Sequence, residues 1–184
     1  MEKQLTLIPD ANFEQALINL GYDTGVPDGK VPTANISSVT DLNVSSKNIS
    51  DLTGIQDFIA LTELGCDDNQ LTSLDVSANT ALTNLYCYCN QLTSLDVSEN
   101  TALTDLNCAY NQLSILDISA NTALSYLDCA FNQLTSLDVK NGNNTNVIDF
   151  DATYNPSLSC IYVDDKTQTY LLAWYKDAGA TFVS

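Results

Sequence analysis

Carboxylates and thiols are the side chains in this sequence whose type and spacing could carry chemistry. The 184 residues include 23 Asp and Glu, 6 Lys and Arg, six cysteines and no histidine. The missing histidine excludes Ser-His and Cys-His catalysis and every His-ligated metal site. Paired carboxylates, such as those of glycoside hydrolases, are the catalytic option that the composition leaves open.

The spacing of the thiols and carboxylates argues against a metal centre. Cys87 and Cys89 form only Cys-x-Cys, and no Cys-x-x-Cys of the zinc-knuckle type is present. A calcium ladder along recurring aspartates is the alternative, but the Asp-x-Asp-x-Asp-Gly cluster of a calcium loop is missing. Asp and Ser also favour turns, which explains these aspartates more simply. We expect no metal and no cofactor. The recurring aspartates are Asp75, Asp96, Asp117 and Asp138.

The net charge of −17 restricts the partners of this chain. Nucleic acids and anionic membrane surfaces both attract Lys and Arg, so neither is an expected partner. The start Met1-Glu2-Lys3-Gln4 has no positive region followed by an apolar run, so we expect neither a signal peptide nor a membrane-inserted helix. A mature secreted protein would look the same. An apolar content of 45% fits one folded domain with a sizeable core.

An internal repeat supplies the elements that must position these side chains. Leu61, Leu82, Leu103 and Leu124 are each 21 residues apart and open blocks of Leu-x-x-Leu-x-Cys-x-x-Asn-Gln-Leu-(Thr/Ser)-x-Leu-Asp-(Val/Ile). This is the leucine-rich-repeat pattern. Each Leu-x-Cys predicts a short strand, and stacked copies form a parallel sheet with strands about 4.8 Å apart.

The predicted fold is therefore an α/β leucine-rich-repeat solenoid. We expect a single curved parallel sheet on the concave face, an irregular or 3-10 convex side, and a helical cap at each end. Residues 1–38 are the N-terminal cap and lead-in loop, residues 39–163 are six repeats of 21–24 residues, and residues 164–184 are the C-terminal cap.

Two columns of repeat residues have structural roles. A buried Asn must satisfy its donors and acceptors, and a stack of them bonds neighbouring turn backbones as a ladder. This ladder is Asn69, Asn90, Asn111, Asn132 and Asn155. The third leucine position holds thiols that we expect to be reduced and buried, since adjacent repeats bring them too close for the usual disulfide geometry. These are Cys66, Cys87, Cys108 and Cys129. We expect Cys89, facing solvent, and Cys160, in the last repeat, to be free as well.

The two ends carry apolar helical stripes that can cover the core. Phe13, Ala16, Leu17 and Leu20 share one helix face, with Asp10 as N-cap and Gly21 at C′. Near the C-terminus, the spacing of Tyr170, Leu171, Trp174 and Tyr175 predicts a short helix with the first three side chains inward. Residues 181–183 are expected to form an extended segment. An exposed Trp/Tyr sugar platform is the alternative.

Particular segments connect the chain with a known family. Ile8-Pro9-Asp10-Ala11-Asn12-Phe13, followed by Val39-Thr40-Asp41-Leu42 and residues 49–55, resembles the helical cap and first repeat of internalin-like bacterial proteins. The later repeats resemble units of secreted bacterial leucine-rich-repeat proteins. The resemblance covers nearly the whole chain and implies a secreted or cell-surface location and a role in adhesion. No immunoglobulin-like domain or sorting signal follows, so we expect an excised region or a shortened member.

The outward positions of the predicted sheet are the candidate ligand site. One column contains Asp105, Tyr126 and Asp149, the next contains Tyr86, Asp128 and Asp151, and a third contains Tyr88. A fourth column places aromatic rings on successive repeats about 5 Å apart; these rings are Tyr110, Phe131 and Tyr154. Aromatic side chains with polar tips are typical interface anchors. Cross-strand stacking that stabilises the sheet is the alternative.

These columns predict a non-catalytic, monomeric binding or adhesion module for a protein or glycan. One alternative is a carbohydrate-active enzyme, with Asp105 and Asp128 as a possible pair. A regular shallow face does not desolvate one carboxyl as such catalysis requires, and no phosphate loop or nucleophile elbow occurs. The other alternative is a scaffold with no ligand. The acidic face favours a basic or hydroxyl-rich partner.

Overall fold

The computed structural model describes residues 4–184, which form one continuous solenoid of short strands. In chain order the elements are β1 (Leu5–Leu7), α1 (Ala11–Asn19), β2 (Lys30–Pro32), α2 (Thr33–Ile36), β3 (Asp41–Asn43), β4 (Glu63–Gly65), β5 (Asn84–Tyr86), β6 (Asp105–Asn107), β7 (Ile115–Asp117), β8 (Tyr126–Asp128), β9 (Ser136–Asp138), β10 (Asp149–Ala152), β11 (Cys160–Tyr162), β12 (Tyr175–Lys176) and β13 (Thr181–Val183). Short 3-10 helices cover Ile55–Asp57, Asn144–Asn146 and Thr169–Ala173.

The main sheet is parallel and follows the order β3-β4-β5-β6-β8-β10-β12. Each middle residue of a repeat strand points inward because side chains alternate along a strand. Leu64, Leu85, Leu106 and Leu127 are at most 1% exposed and form one core with the leucines of the opposite side. Burial of each such side chain contributes about 1.5–3 kcal/mol. The solenoid predicted from the 21-residue period is thus confirmed.

The convex side carries a second sheet, which the expectation of a single sheet did not include. The strands β7, β9, β11 and β13 pair in parallel, with Ile115, Ser136, Cys160 and Thr181 in register. The first repeats have no strand at the equivalent Leu74-Asp75-Val76. The convex side is therefore irregular in the N-terminal half and sheet-like in the C-terminal half, with 3-10 turns at intervals.

The N-terminal cap contains the expected helix, which begins after the predicted N-cap residue Asp10. Asp10 Oδ1 accepts hydrogen bonds from the backbone N–H groups of Asn12 and Phe13, at 2.9 and 3.0 Å. Its Oδ2 accepts from the N–H groups of Ser50 and Asp51, at 2.8 and 3.1 Å. One carboxylate therefore caps the helix and joins it to the first repeat.

The apolar stripe of α1 is shorter than its spacing indicates. Gly21 at φ 83° ends the helix, and the N–H of Tyr22 bonds the carbonyl of Leu17 at 2.9 Å, which is the Schellman arrangement. Leu20 is the C-cap residue and is 46% exposed, so its predicted place on the buried face was wrong. Glu14 is buried instead, and its two carboxylate oxygens accept the backbone N–H groups of Asp28 and Gly29.

The C-terminal helix is a 3-10 helix, Thr169–Ala173, and not an α-helix. Leu171 and Trp174 are buried as predicted, and the Trp174 ring stacks on Phe150 with centroids 4.2 Å apart. Tyr170 is only half-buried. The segment also adds β12 and β13, one strand for each sheet, so it continues the coil. The sugar-platform alternative for Trp174 is not supported, since its ring is 6% exposed.

Asparagine side chains hold successive coils together. Asn111 Nδ2 donates to the carbonyls of Cys87 and Cys108 at 3.0 and 3.1 Å, and its Oδ1 accepts from the N–H of Leu92 at 2.9 Å. The same bridge recurs at each equivalent position, Asn69, Asn90, Asn132 and Asn155. The backbone positions of the turns after β3, β4, β5, β6, β8 and β10 therefore depend on these amides.

A second asparagine column, which the sequence reasoning missed, lies at the convex turns. Asn100 Nδ2 donates to the carbonyls of Val76 and Asn79 at 3.0 and 2.9 Å, and Asn79 and Asn121 repeat the arrangement. All three are fully buried. The signal was present in the recurring Asn-Thr-Ala, because a polar residue at a constant repeat position needs a buried partner.

The cysteine column lies in the core. Cys66, Cys87, Cys108 and Cys129 are fully buried, and burial raises the pKa of each thiol well above its ordinary value. Cys89 is exposed and Cys160 half-buried, and all six thiols are free. The column thus packs as small apolar side chains.

Candidate functional site

The concave face is built from two outward-facing columns of the main sheet. The first column, in strand register, is Asp41, Glu63, Asn84, Asp105, Tyr126 and Asp149. The second column is Asn43, Gly65, Tyr86, Asn107, Asp128, Asp151 and Tyr175. The predicted residues of these columns therefore lie on neighbouring strands of one surface. Tyr175 extends that surface and was missed, because the spacing of Tyr170, Leu171, Trp174 and Tyr175 predicts a helix there.

A row of three exposed aromatic rings lies beside these columns, Tyr110, Phe131 and Tyr154, which we call the aromatic ridge. The ring centroids of Tyr110 and Phe131 are 4.1 Å apart, and those of Phe131 and Tyr154 are 4.0 Å apart. The planes deviate from parallel by only 10° and 12°. The three side chains are 52%, 36% and 62% exposed. Successive coils therefore bring the rings into a solvent-exposed stack beside the strand face.

The ridge residues have left-handed backbone conformations, which sequence reasoning did not anticipate. Their φ values are 53°, 54° and 56°, and the equivalent Ser46, Asp68 and Cys89 share this conformation. A left-handed residue other than Gly or Asn costs about 1–2 kcal/mol, and bulky residues are uncommon there. Two stacked pairs contribute about 0.5–1.5 kcal/mol each beyond burial. Stacking therefore offsets the strain only in part, so stability alone is a weak reason for three aromatics here.

Tyr126 lies at the centre of the acidic part of the concave face. Asp105 and Asp149 flank it in register on the adjacent strands. Burial raises the pKa of Tyr126, and the surrounding carboxylates of Asp128, Asp149, Asp151 and Asp105 raise it further. Their negative potential therefore converges on one half-buried ring.

The carboxylates of the second column also have local structural roles. The N–H of Ala130 donates to Asp128 Oδ1 at 3.1 Å, and the N–H of Thr153 donates to Asp151 Oδ1 at 2.8 Å. Burial raises the pKa of Asp128, and the Asp151 and Asp149 carboxylates add to this rise. These groups end the strands while keeping their charge at the surface.

Tyr86 and Tyr88 form the edge of the site towards the N-terminus. The hydroxyl of Tyr86 accepts a hydrogen bond from the Asn84 side-chain amide at 3.1 Å. A hydrogen bond with Asp67 raises the pKa of Tyr88. Both rings are half-buried and have hydrogen-bond partners in their own or the preceding repeat, so they are more constrained than the ridge.

Two cavities lie away from the concave face. One of about 480 Å³ is lined by Pro32, Thr33 and Asp57 near the N-terminal cap, and one of about 430 Å³ by Leu95, Asp96 and other convex residues. Residues 4–184 contain no group of three or more His, Cys, Asp or Glu side chains that could hold a metal ion. In the same range, no helix is both long and apolar enough to cross a membrane.

The convex aspartates take part in local turns. The N–H groups of Ser77, Ser98 and Ser119 donate to Asp75, Asp96 and Asp117 at 3.0, 2.9 and 2.8 Å. A side-chain hydrogen bond from Ser77 lowers the pKa of Asp75, and a backbone bond from Ser98 lowers that of Asp96. This arrangement is the expected Asx turn.

Comparison of the sequence with protein-family models and with curated proteins gives no match. Among solved structures, the functional domain of InlJ from Listeria monocytogenes, which includes a cysteine ladder, is 30% identical to this chain. Its TM-score is 0.78, over 100% of this chain and 48% of that chain. This chain has an internalin-like leucine-rich-repeat fold.

Two further internalin-like or leucine-rich-repeat structures share the fold. The internalin InlF from Listeria monocytogenes is 19% identical, with a TM-score of 0.61 over 97% of this chain and 72% of that chain. A leucine-rich-repeat protein from Leptospira interrogans is 20% identical, with a TM-score of 0.63 over 78% and 44%. The internalin-like chain spans about half the length of the InlJ domain that it matches.

Proposed function

We propose that this internalin-like chain is a non-catalytic binding and adhesion module that presents its concave aromatic and acidic surface to a protein or glycan partner. The observation that carries the proposal is the exposure of the aromatic ridge. Three neighbouring rings remain 36–62% exposed in a backbone conformation that disfavours bulky residues. Large aromatics that gain only part of their possible burial in the free protein are typical anchors of interfaces.

The proposal also covers the cellular location and the oligomeric state of the module. An adhesion module acts outside the cell, so the proposal includes secretion or attachment at the cell surface, and it takes the chain to be a monomer. The rigidity of the concave face supports this role, because the Asn ladder and the parallel register preorganise the contact residues and reduce the entropy lost on binding.

An array experiment tests the proposal. The wild-type chain and the double variant Tyr110→Asn with Phe131→Asn are labelled and applied to arrays of purified ectodomains and of oligosaccharides. Asn tolerates a left-handed backbone, so the double variant keeps the fold. Ile115→Ser, which removes a 63% exposed apolar side chain from the convex sheet, is the matched control.

We expect ligands that bind the wild type and the Ile115→Ser control and that lose at least tenfold in affinity with the double variant, about 1.4 kcal/mol. Circular dichroism and urea titration establish that both variants are folded. Equal binding of every ligand by the wild type and the double variant would refute the role of the ridge.

A further inference from the structure

The fourth repeat departs from the common pattern on the convex side, immediately after β9. The step from Asn132 to Asn155 is 23 residues, whereas Asn111 and Asn132 are 21 residues apart. The extra length lies in residues 140–146, which replace the regular Asn-Thr-Ala turn. The loop after β11, residues 164–170, is also irregular. Two irregular loops therefore lie side by side on adjacent coils.

A cavity of about 400 Å³ lies between these loops, and we call it the loop cavity. Its volume is within the range of small-molecule sites, about 300–1,000 Å³. The lining brings together an ammonium group, two carboxylates, two amides and a phenol ring, which belong to Lys140, Asp164, Asp165, Asn144, Gln168 and Tyr170. Charges of both signs therefore meet in one concave place.

Lys140 occupies a position where the preceding repeats have serine. The equivalent residues, at steps of 21, are Ser77, Ser98 and Ser119. The N–H of Lys140 donates to Asp138 Oδ1 at 2.9 Å, as the serine N–H groups do to their own aspartates. Serine forms the same turn, and residues 48–139 contain no Lys or Arg. The turn therefore does not explain the lysine side chain.

The two loops are held together by a reciprocal pair of residues. The N–H of Asp164 donates to Asn144 Oδ1 at 2.8 Å, and the N–H of Asn144 donates to Asp164 Oδ2 at 3.1 Å. The N–H of Gly142 donates to Asp164 Oδ1 at 3.0 Å, and Asn144 is only 1% exposed. The cavity walls are therefore fixed, which reduces the entropy that a ligand must overcome.

The carboxylate of Asp164 keeps room for a ligand cation. A carboxylate accepts about four hydrogen bonds, and Asp164 uses two of these sites for the N–H groups of Gly142 and Asn144. The side chain itself is exposed. The group can therefore accept further donors at the cavity without releasing the loop.

Asp165 and Tyr170 complete the acidic side of the loop cavity. Hydrogen bonds from Gln168 and Thr167 lower the pKa of Asp165 to about 2, so this carboxylate is ionised at neutral pH. Burial raises the pKa of Tyr170, and the charges of Asp164 and Asp165 raise it further. A neutral phenol ring beside two carboxylates attracts an ammonium group by both its quadrupole and their charge.

The opposite charges lie on neighbouring coils. Asp138 and Tyr162 are in register on β9 and β11, and Lys140 and Asp164 each follow two residues later. Adjacent strands are about 4.8 Å apart. A small zwitterion, whose ammonium and carboxylate are attached to one carbon atom, fits this spacing. A neutral sugar leaves both charges uncompensated, and an anion is repelled by the two carboxylates.

We infer that the loop cavity binds a free α-amino acid, whose carboxylate pairs with Lys140 and whose ammonium group lies between Asp164, Asp165 and the Tyr170 ring. The site is separate from the concave face, so this inference and the proposed adhesion function can fail independently.

The test is an NMR titration of the whole chain with the twenty L-amino acids, up to 10 mM, following the amide signals of Gly142 and Asn144. Each amino acid that binds is compared with its N-acetyl and carboxamide derivatives, which lack one charge. Glucose, galactose, mannose and N-acetylglucosamine form the neutral panel. The variants are Lys140→Ser, which introduces the serine of the other repeats, and Asp165→Asn, which keeps an acceptor for the turn.

Two controls match these variants. Lys140→Ser combined with Ser77→Lys moves the lysine three repeats away and keeps the net charge at −17. Asp96→Asn removes one carboxylate from a convex turn outside the loop cavity. Circular dichroism and urea titration establish that each variant is folded.

We expect at least one amino acid to shift both signals, with a Kd of about 1 mM or lower, and both derivatives to bind at least tenfold more weakly. Lys140→Ser and the variant with the moved lysine should each lose at least fivefold, and neither should distinguish the amino acid from its carboxamide. Asp165→Asn should lose at least fivefold, and Asp96→Asn should bind as the wild type does.

Three results would overturn the inference. One is the absence of any shift at 10 mM, and another is equal binding of the amino acid and its derivatives by the wild type, a comparison that holds even if a variant fails to fold. The third is equal binding by Lys140→Ser and the wild type. Binding of the neutral sugars alone would assign the loop cavity to sugars and exclude the zwitterion. The double variant Tyr110→Asn with Phe131→Asn should retain amino-acid binding, since the two sites are separate.

Discussion

The left-handed backbone at Phe131 makes a sharp prediction about two substitutions that both remove the ring. Phe131→Ala and Phe131→Gly lose the same two stacked contacts, so their stacking losses, about 1–3 kcal/mol in sum, cancel in a comparison. Ala retains the strain of φ 54°, whereas Gly is free of it. The strain destabilises the Ala variant by about 1–2 kcal/mol. The greater freedom of Gly in the unfolded chain destabilises the Gly variant by about 0.4–1 kcal/mol, so the stability difference between the two variants is smaller than the strain.

We therefore expect Phe131→Gly to be more stable than Phe131→Ala by about 1 kcal/mol. With a urea m-value of about 2 kcal/mol/M, the midpoint of the Gly variant is higher by roughly 0.5 M. The measurement is urea unfolding followed by circular dichroism, with the m-values compared to verify that cooperativity is unchanged.

Ile148 provides the matched control, because it is 85% exposed and does not have a positive φ. At that position Ala should be more stable than Gly, which is the ordinary order. If Ala were also the more stable residue at position 131, the left-handed strain on which the ridge argument depends would be absent.

Four further outcomes follow from other parts of the structure. Asn111→Ala leaves several buried backbone groups unpaired, and we expect a loss of at least about 3 kcal/mol in urea unfolding. Asp10→Ala removes the N-cap and the link to the first repeat, so it should cost about 1–2 kcal/mol and speed amide exchange in α1, with Asp10→Asn milder. At pH 8, Ellman's reagent should label Cys89 first and the four core thiols only after unfolding; labelling of more than two of the six thiols in the folded protein would contradict the buried column. Burial raises the pKa of Asp128, so its stabilising contribution is complete below the ordinary value of 3.8 and is lost as the pH rises through the raised value. Asp128→Asn should therefore increase stability at pH 7 and change it little at pH 3, unless its bond from Ala130 dominates, in which case the sign reverses and the burial argument fails.

The core and the concave columns were predictable because they depend on one period. A leucine every 21 residues and alternation along each short strand determine which side chains face inward. The register of Asp105, Tyr126 and Asp149 follows directly from the repeat period and the alternation of side chains. The distance between the ridge rings was also close to expectation, since it reflects the spacing of adjacent coils.

The local conformations were not predictable in the same way. The left-handed position is occupied by Ser, Asp, Cys, Tyr and Phe in this chain, so no Gly or Asn marks it. The second sheet was not predictable because the same Leu-Asp-(Val/Ile) sequence occurs in repeats that form a convex strand and in repeats that do not. The spacing of Tyr170, Leu171 and Trp174 fits a 3-10 turn followed by a strand as well as an α-helix, and so Tyr175 was assigned to the wrong element.

The hydrogen bonds divide the acidic residues into two groups, those that close convex turns and those that lie on the concave face. The convex aspartates Asp75, Asp96 and Asp117 close turns and recur because the repeat recurs, so their charge carries no information about a partner. Asp128 and Asp151 close strand ends, yet they remain charged on the face that carries the ridge. A hydrogen-bonded carboxylate still contributes its full charge to the surface potential, and no positive side chain from the central repeats neutralises it. Under the proposed function, the concave carboxylates beside the exposed rings are the charges that would select a basic partner. We therefore expect a convex variant such as Asp96→Asn to leave partner binding unchanged, although it alters the net charge as much as Asp128→Asn does.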